Sequence, residues 1–269
     1  AIMFAIALFS CSQNGGKVTT TAEGIEQWIT SGDKQKLLVK TEIGEVSGDT
    51  SMLPAIVIDD SQQFQTIDGF GYALTGGSAY LLHTKLDAAK RTELLKELFL
   101  MSDNNIGVSY LRISIGASDL DDHVFSYNDI PAGKTDRTLA GFNMAEDEKH
   151  LIPVLKEIVA LAPDIKIMGS PWSAPAWMKT NNSPKGGSLK PEYYGAYADY
   201  FVKYIQGMAS QGIIIDAITI QNEPENPKNN PSMVMTAQEQ AEFVKLHLGP
   251  AFEKASIKTK IIVFDHNCD

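Results

Sequence analysis

From Thr66 onward, short apolar runs alternate with long amphipathic segments in one repeating order. That alternation restricts the chain to βα units around a parallel sheet. Ile67 to Tyr72 reads as a glycine-broken strand, followed by a helix near Asp87 to Met101 in which Leu94, Leu95 and Leu98 recur at helical spacing. Val108 to Ile115 is the second strand and Glu146 to Leu161 the second long helix. Lys166 to Ser170 is the third strand, with Tyr193 to Met208 as its helix. Ile213 to Ile220 is the fourth, with Ala237 to Lys254 after it, and Lys260 to Phe264 is the fifth. Such a series fits an open doubly wound sheet or an incomplete (β/α)8 barrel, and periodicity alone does not choose. The placement of polar and aromatic residues does. Asp119, Trp172, Asn222, Glu223, Asp265 and His266 all fall just beyond the C-terminal end of a predicted strand. In a barrel those ends converge on one mouth, where active sites are built.

Before Thr66 the pattern is different. Leu37 to Val39 and Ala55 to Ile58 are short apolar runs separated by Gly-, Ser- and Asp-containing turns, which predicts strands of an accessory sheet over residues 23–64. Ala1 to Phe9 is apolar, too short to span a bilayer, and resembles the core of a secretory signal. It ends in Leu8-Phe9-Ser10-Cys11, which resembles a bacterial lipobox, and the polar stretch Ser12 to Ala22 reads as a tether. The expectation is an exported lipoprotein whose membrane contact runs only through a lipid on Cys11; the bland alternative is a trimmed signal with an incidental cysteine. The organisation is thus 1–22 signal remnant and tether, 23–64 accessory β-sandwich strands, and 65–269 the first part of a barrel.

Composition removes several classes of function. A net charge of -10 argues against a nucleic-acid partner, which needs clustered Lys and Arg facing phosphates. Cys11 and Cys268 lie at opposite ends of the chain, so no disulfide framework can be built. The histidines His83, His123, His150, His247 and His266 include no pair at His-x-x-x-His spacing, so no metal is expected. A serine-esterase elbow, Gly-x-Ser-x-Gly, does not occur. Gly69 and Gly71 lack the third glycine of a dinucleotide fingerprint, where Leu74 stands, and no cofactor is expected.

The strongest chemical signal is Thr219-Ile220-Gln221-Asn222-Glu223-Pro224. Proline cannot extend a ladder, so the strand stops and leaves Glu223 at the rim. A carboxyl group partly withdrawn from water suits a general acid that protonates a leaving oxygen. Asn222 beside it can hydrogen-bond a sugar hydroxyl. A polar turn after any buried strand is the bland alternative. In Gly169-Ser170-Pro171-Trp172-Ser173-Ala174-Pro175-Ala176-Trp177, prolines hold two indoles at a strand end, rigid surface for stacking on a sugar face. Trp172 is the ligand candidate and Trp177 the packing one. Asp119 can accept from two adjacent hydroxyls or be a solvated loop aspartate, and Asp265 and His266 line the mouth or belong to an ordinary polar loop.

Gly69-Phe70-Gly71, Arg112 to Asp119, Ser170 to Asn181, Tyr200-Phe201-Val202-Lys203-Tyr204 and Asn222-Glu223-Pro224 together resemble glycoside hydrolase family 30, which includes glucosylceramidases, over roughly Gln65 to Asp269. The resemblance implies a (β/α)8 barrel with an attached β-sandwich and retention of configuration through a glycosyl-enzyme intermediate. It implies that Glu223 is the acid/base and that Asp119, Trp172 and Asn222 form the first sugar subsite. The family's nucleophile is a glutamate after the seventh strand, which this sequence does not reach. A retaining mechanism needs two carboxyl groups about 5 Å apart, so the expectation is a piece of a longer reading frame, inactive alone, whose whole hydrolyses β-linked glucoside or glucan. The contrasting expectation is a carbohydrate-binding surface lipoprotein without chemistry.

Overall fold

The computed structural model describes residues 27–41, 59, 61–102 and 105–267. The chain divides into two compact units, Ala1–Gln65 and Thr66–Asp269.

In the first unit, β1 (Gln27–Ile29) and β2 (Val39–Thr41) pair antiparallel, Gln27 opposite Thr41 and Ile29 opposite Val39. The predicted strand at Leu37 to Val39 is therefore shifted two residues on. Leu38 sits at φ 49 in the turn before it, a conformation that no strand residue adopts. The predicted strand Ala55 to Ile58, like Cys11, lies outside the described residues.

The second unit is a five-stranded parallel sheet in sequential order, β3 (Gly71–Ala73), β4 (Tyr110–Ile115), β5 (Lys166–Pro171), β6 (Ala217–Thr219) and β7 (Lys260–Ile262). Sequential parallel strands with helical crossovers are the first five βα units of a (β/α)8 barrel, as expected. The longest pairing runs from Tyr110 opposite Lys166 to Ile115 opposite Pro171. Gly71 is required beside it: a Cβ there would stand 1.5 Å from the carbonyl oxygen of Tyr110.

Several boundaries differ from the sequence expectation for local reasons. A helix absent from it, α1 (Gly76–Lys85), follows β3, capped by Thr75 accepting from the Ser78 amide. Its apolar residues do not gather on one face; Leu81 is exposed, and Ala79 is the one fully buried residue. The next helix, α2 (Ala88–Phe99), starts at its Asp87 cap. The helix expected over Glu146 to Leu161 is two helices, α3 (Ala145–Lys149) and α4 (Leu151–Leu161), separated at His150. Pro153 explains the break, because it has no amide hydrogen to donate to Lys149 four residues earlier. After α5 (Tyr194–Ser210), Ile213 donates its amide to Met208 and belongs to the turn, which shortens the fourth strand. The last helix is α6 (Ala237–Phe243), a π-helical turn at Val244–Leu248 and α7 (Gly249–Lys254). Pro250 cannot donate to Leu246, and the Gly249 amide bonds five residues back to Val244.

Helix packing closes one face of the sheet. On α4 the buried residues Leu151, Ile152, Leu155 and Ile158 recur at helical spacing. On α5, Tyr197, Tyr200, Phe201, Tyr204 and Met208 do the same. Tyr127 stacks on Tyr200 and Tyr204, with ring centroids 5.5 and 5.8 Å apart. Among the described residues no helix is long and apolar enough to cross a membrane.

Candidate active site

The carboxyl ends of the strands carry the polar residues, and hydrogen bonds join them across the sheet. The Asn222 amide donates to the carbonyl of Pro171, and the Glu223 amide to the carbonyl of Asp265, both at 2.8 Å. Beyond the end of β6 the backbone thus stays tied to the last residue of β5 and to the loop after β7. Glu223 has φ 44, in the left-handed region that a side chain enters at a cost of about 1–3 kcal/mol. That conformation turns the chain sharply between Asn222 and buried Pro224 and leaves Glu223 half-buried.

One guanidinium organises the floor below. Arg112, from the middle of β4, directs Nη2 to Asn222 Oδ1 at 2.7 Å, Ser170 Oγ at 2.9 Å and Asp265 Oδ2 at 2.9 Å. Nη2 has two hydrogens for three acceptors, so one is shared. The Ser170 and Thr219 hydroxyls each lie 2.7 Å from the same Asp265 oxygen. Because Asn222 Oδ1 is engaged by Arg112, its Nδ2 is the group left to donate elsewhere.

Asp119 and Trp172 come together: Trp172 Nε1 donates to Asp119 Oδ1 at 3.0 Å. The Arg112 guanidinium lies over the Trp172 ring, 4.7 Å from its centroid, and Gln221 Nε2 donates to the Trp172 carbonyl at 2.7 Å. Two contacts hold the indole, and the third holds the backbone that carries it. Trp177 is buried and donates to the carbonyl and side-chain oxygens of Asn128. Of the remaining pair, Asp265 is drawn into the Arg112 cluster. His266 instead lines a cavity with Ile220, Pro224, Val263 and Phe264, its Nδ1 buried with no partner among the described residues.

The Glu223 carboxylate takes two side-chain amides on one oxygen: Asn226 Nδ2 and Asn229 Nδ2 both reach Oε2 at 2.8 Å. The loop that carries them is anchored by Lys179, fully buried, whose Nζ donates to Ser173 Oγ at 2.8 Å and to the Ser232 carbonyl at 2.6 Å. Burial lowers the Lys179 pKa to about 7. The sequence reading gave no chemical role of their own to Arg112, Ser170, Thr219, Lys179, Asn226 and Asn229, although the first four stand in segments it singled out. For Arg112 a signal existed, a charge amid Tyr-Leu-Arg-Ile-Ser-Ile. Among the described residues no group of three or more His, Cys, Asp or Glu could hold a metal ion.

A parallel βα sheet that gathers carboxyl groups, an indole and an asparagine amide on the carboxyl ends of its strands is a barrel domain with its candidate site at that end. Comparison with known proteins narrows the class. The chain belongs to glycosyl hydrolase family 30: residues 67–269 match the family's TIM-barrel domain. It is 39% identical over 222 residues to the endo-1,6-beta-D-glucanase of Neurospora crassa, covering 80% of this chain and 45% of that protein. To the lysosomal acid glucosylceramidase of Mus musculus it is 29% identical over 221 residues, covering 78% of this chain and 42% of that one. The solved structure of an endo-beta1,6-glucanase superposes with a TM-score of 0.77 at 38% identity, covering 89% of this chain and 52% of the other. The chain spans about half the length of these relatives.

Proposed function

We propose that the chain forms the front half of a retaining β-glycosidase that hydrolyses β-1,6-linked glucan, with Glu223 as the general acid/base. The observation that carries this reading is the position of Glu223: half-buried, beyond the end of β6, on the same rim as the Asp119–Trp172 pair. Double displacement needs a second carboxyl group about 5 Å away as nucleophile; in this reading it comes from strands beyond residue 269. Asp119 Oδ2 and Asn222 Nδ2 present an acceptor and a donor to the hydroxyls of the first sugar, and Trp172 offers it an aromatic surface. Asp265 acts through Arg112, holding the floor of the subsite. Preference for β-1,6-glucan over glucosylceramide is supported by the 37–39% identity to three fungal endo-1,6-beta-glucanases, against 29% for the mouse glucosylceramidase.

The test is sugar release from an aryl β-glucoside and from β-1,6-glucan by the enzyme extended through the rest of the barrel, with Glu223→Gln as comparison. Loss of about 100-fold or more in the Gln variant on glucan is expected of a general acid. Equal activity in the two proteins overturns the assignment. The same reading places the enzyme outside the cytoplasm, tethered through a lipid on Cys11. Incorporation of labelled palmitate that disappears in Cys11→Ser supports the tether, and unlabelled wild-type protein removes it.

A further inference from the structure

The loop after β6 holds a second device. Asn226 and Asn229 spend both of their side-chain amides on a single oxygen of Glu223, Oε2, while among the described residues no hydrogen bond reaches Oε1. The orientation of Asn226 is not free to reverse. Its Oδ1 accepts the Lys228 amide at 3.1 Å, which turns Nδ2 toward the carboxylate. The loop itself is pinned where it returns: Ser232 Oγ donates to the Pro227 carbonyl at 3.0 Å, the Ser232 amide donates to Pro184 at 3.0 Å, and buried Lys179 donates to the Ser232 carbonyl. Two donors on a fixed loop therefore meet a carboxyl group whose backbone is fixed by the Glu223 amide bond to Asp265.

An amide nitrogen donates and cannot accept. A carboxyl proton placed on Oε2 would collide with two hydrogens already aimed there, so the proton of the neutral acid sits on Oε1. We infer that Asn226 and Asn229 are positioning residues for the proton transfers at Glu223, selecting Oε1 as the oxygen that gives and takes the proton; this rests on the acid/base reading of Glu223. In the first half-reaction the nucleophilic carboxylate of the proposed double displacement forms a bond to the anomeric carbon while the bond from that carbon to the leaving oxygen breaks. The electron pair stays on that oxygen, which takes the proton from Oε1. Glu223 becomes a carboxylate as its charge develops against two N–H donors, and such bonds are roughly twice as strong to an ionised acceptor as to a neutral one. In the second half-reaction water attacks the anomeric carbon, the glycosyl-enzyme ester bond breaks with its electron pair returning to the nucleophilic carboxylate, and the water gives a proton to Oε1. Because the bonds strengthen as the proton leaves, their contribution falls on the transition state of the first half-reaction.

The experiment measures kcat for the extended enzyme on a series of aryl β-glucosides, from dinitrophenyl to unsubstituted phenyl, whose leaving groups need increasing protonation. Asn229→Ala and Asn226→Ser are the variants, the serine hydroxyl being able to keep the bond to the Lys228 amide. Each is expected to lose about 10-fold on the phenyl glucoside, the size of a lost hydrogen bond to a charged group, and less than about 3-fold on the dinitrophenyl glucoside. A steeper dependence on the leaving group is not produced by a general loosening of the site. Equal losses along the series, or no loss, overturn the inference provided Glu223→Gln does steepen it. If Glu223→Gln leaves the dependence unchanged, the acid/base reading fails first and the inference falls with it. Asn229→Gln, which restores a donor on a longer arm, is expected to recover part of the phenyl glucoside rate.

Discussion

Arg112 Nη2 stands 2.9 Å from Asp265 Oδ2, an ion pair that spans the sheet from its second strand to the loop beyond its fifth. Both side chains are about one-fifth exposed, at 22% and 21%, so solvent screens the pair only in part. Three donors converge on that one Asp265 oxygen, and losing the guanidinium leaves a carboxylate served by two hydroxyls. Arg112→Met is expected to lower unfolding free energy by about 2 kcal/mol, the range for hydrogen bonds to charged groups after a discount for exposure. Urea denaturation measures it. Combining it with Asp265→Asn should cost less than the two separate losses together; strict additivity would show that the contact contributes nothing.

Asp147 gives the protein a slope of stability against pH. Its carboxyl, on α3, is buried, and burial raises its pKa from 3.8 to about 7, with the Tyr127 hydroxyl 2.5 Å away opposing that rise and Asp121 and Glu146 adding to it. Between pH 4 and pH 7 the folded chain keeps a proton that the unfolded chain has released. Stability therefore falls as pH rises through that window and is level above it, by up to about 1.4 kcal/mol per pH unit. Asp147→Asn keeps an oxygen for Tyr127 and cannot titrate. Relative to this variant, the wild type is expected to lose on the order of 3 kcal/mol between pH 4.5 and pH 7.5. Parallel urea midpoints at the two pH values would sink the account.

Gly71 is a steric requirement with no chemistry of its own. Because a Cβ would meet the Tyr110 carbonyl at 1.5 Å, Gly71→Ala must push β3 away from β4. Since β3 is an edge of the five-stranded sheet, the variant is expected to unfold more easily by about 1–3 kcal/mol, as overpacking does elsewhere. A melting temperature unchanged from wild type would mean that the edge strand moves without cost.

What was legible in the sequence follows from range. Pro224 stops a strand by local chemistry, so the position of Glu223 at the rim could be read from six consecutive residues. The sequential strand order was not local in this way: a doubly wound sheet has the same alternation with another order, and only the polar residues at the strand ends favoured a barrel. The Arg112 cluster could not be read, because its partners lie 110 and 153 residues further along the chain and no local pattern announces them. His150 is a different failure. Pro153 was present to break the helix, but the apolar spacing on both sides of it masked the break. Asn226 and Asn229 were hidden in a loop whose composition is that of any turn.

Lys179 supplies the last test. A lysine with its whole side chain buried is rare, because the ammonium is expensive to remove from water. Here both acceptors, Ser173 Oγ and the Ser232 carbonyl, are uncharged, and burial lowers the pKa from 10.5 to about 7. Above pH 7 the folded chain holds a neutral amine while the unfolded chain still binds its proton, so stability rises with pH until about 10.5. Below pH 7 the amine is charged in both states and the slope disappears. Measured against Lys179→Met, which cannot titrate, wild-type stability is expected to climb by about 2 kcal/mol between pH 7.5 and pH 9. The same amine ties the segment after Trp172 to the loop of Asn226 and Asn229. A difference that stays flat over this range would mean that Lys179 keeps its charge in the folded chain, held by charge-assisted hydrogen bonds to two uncharged acceptors.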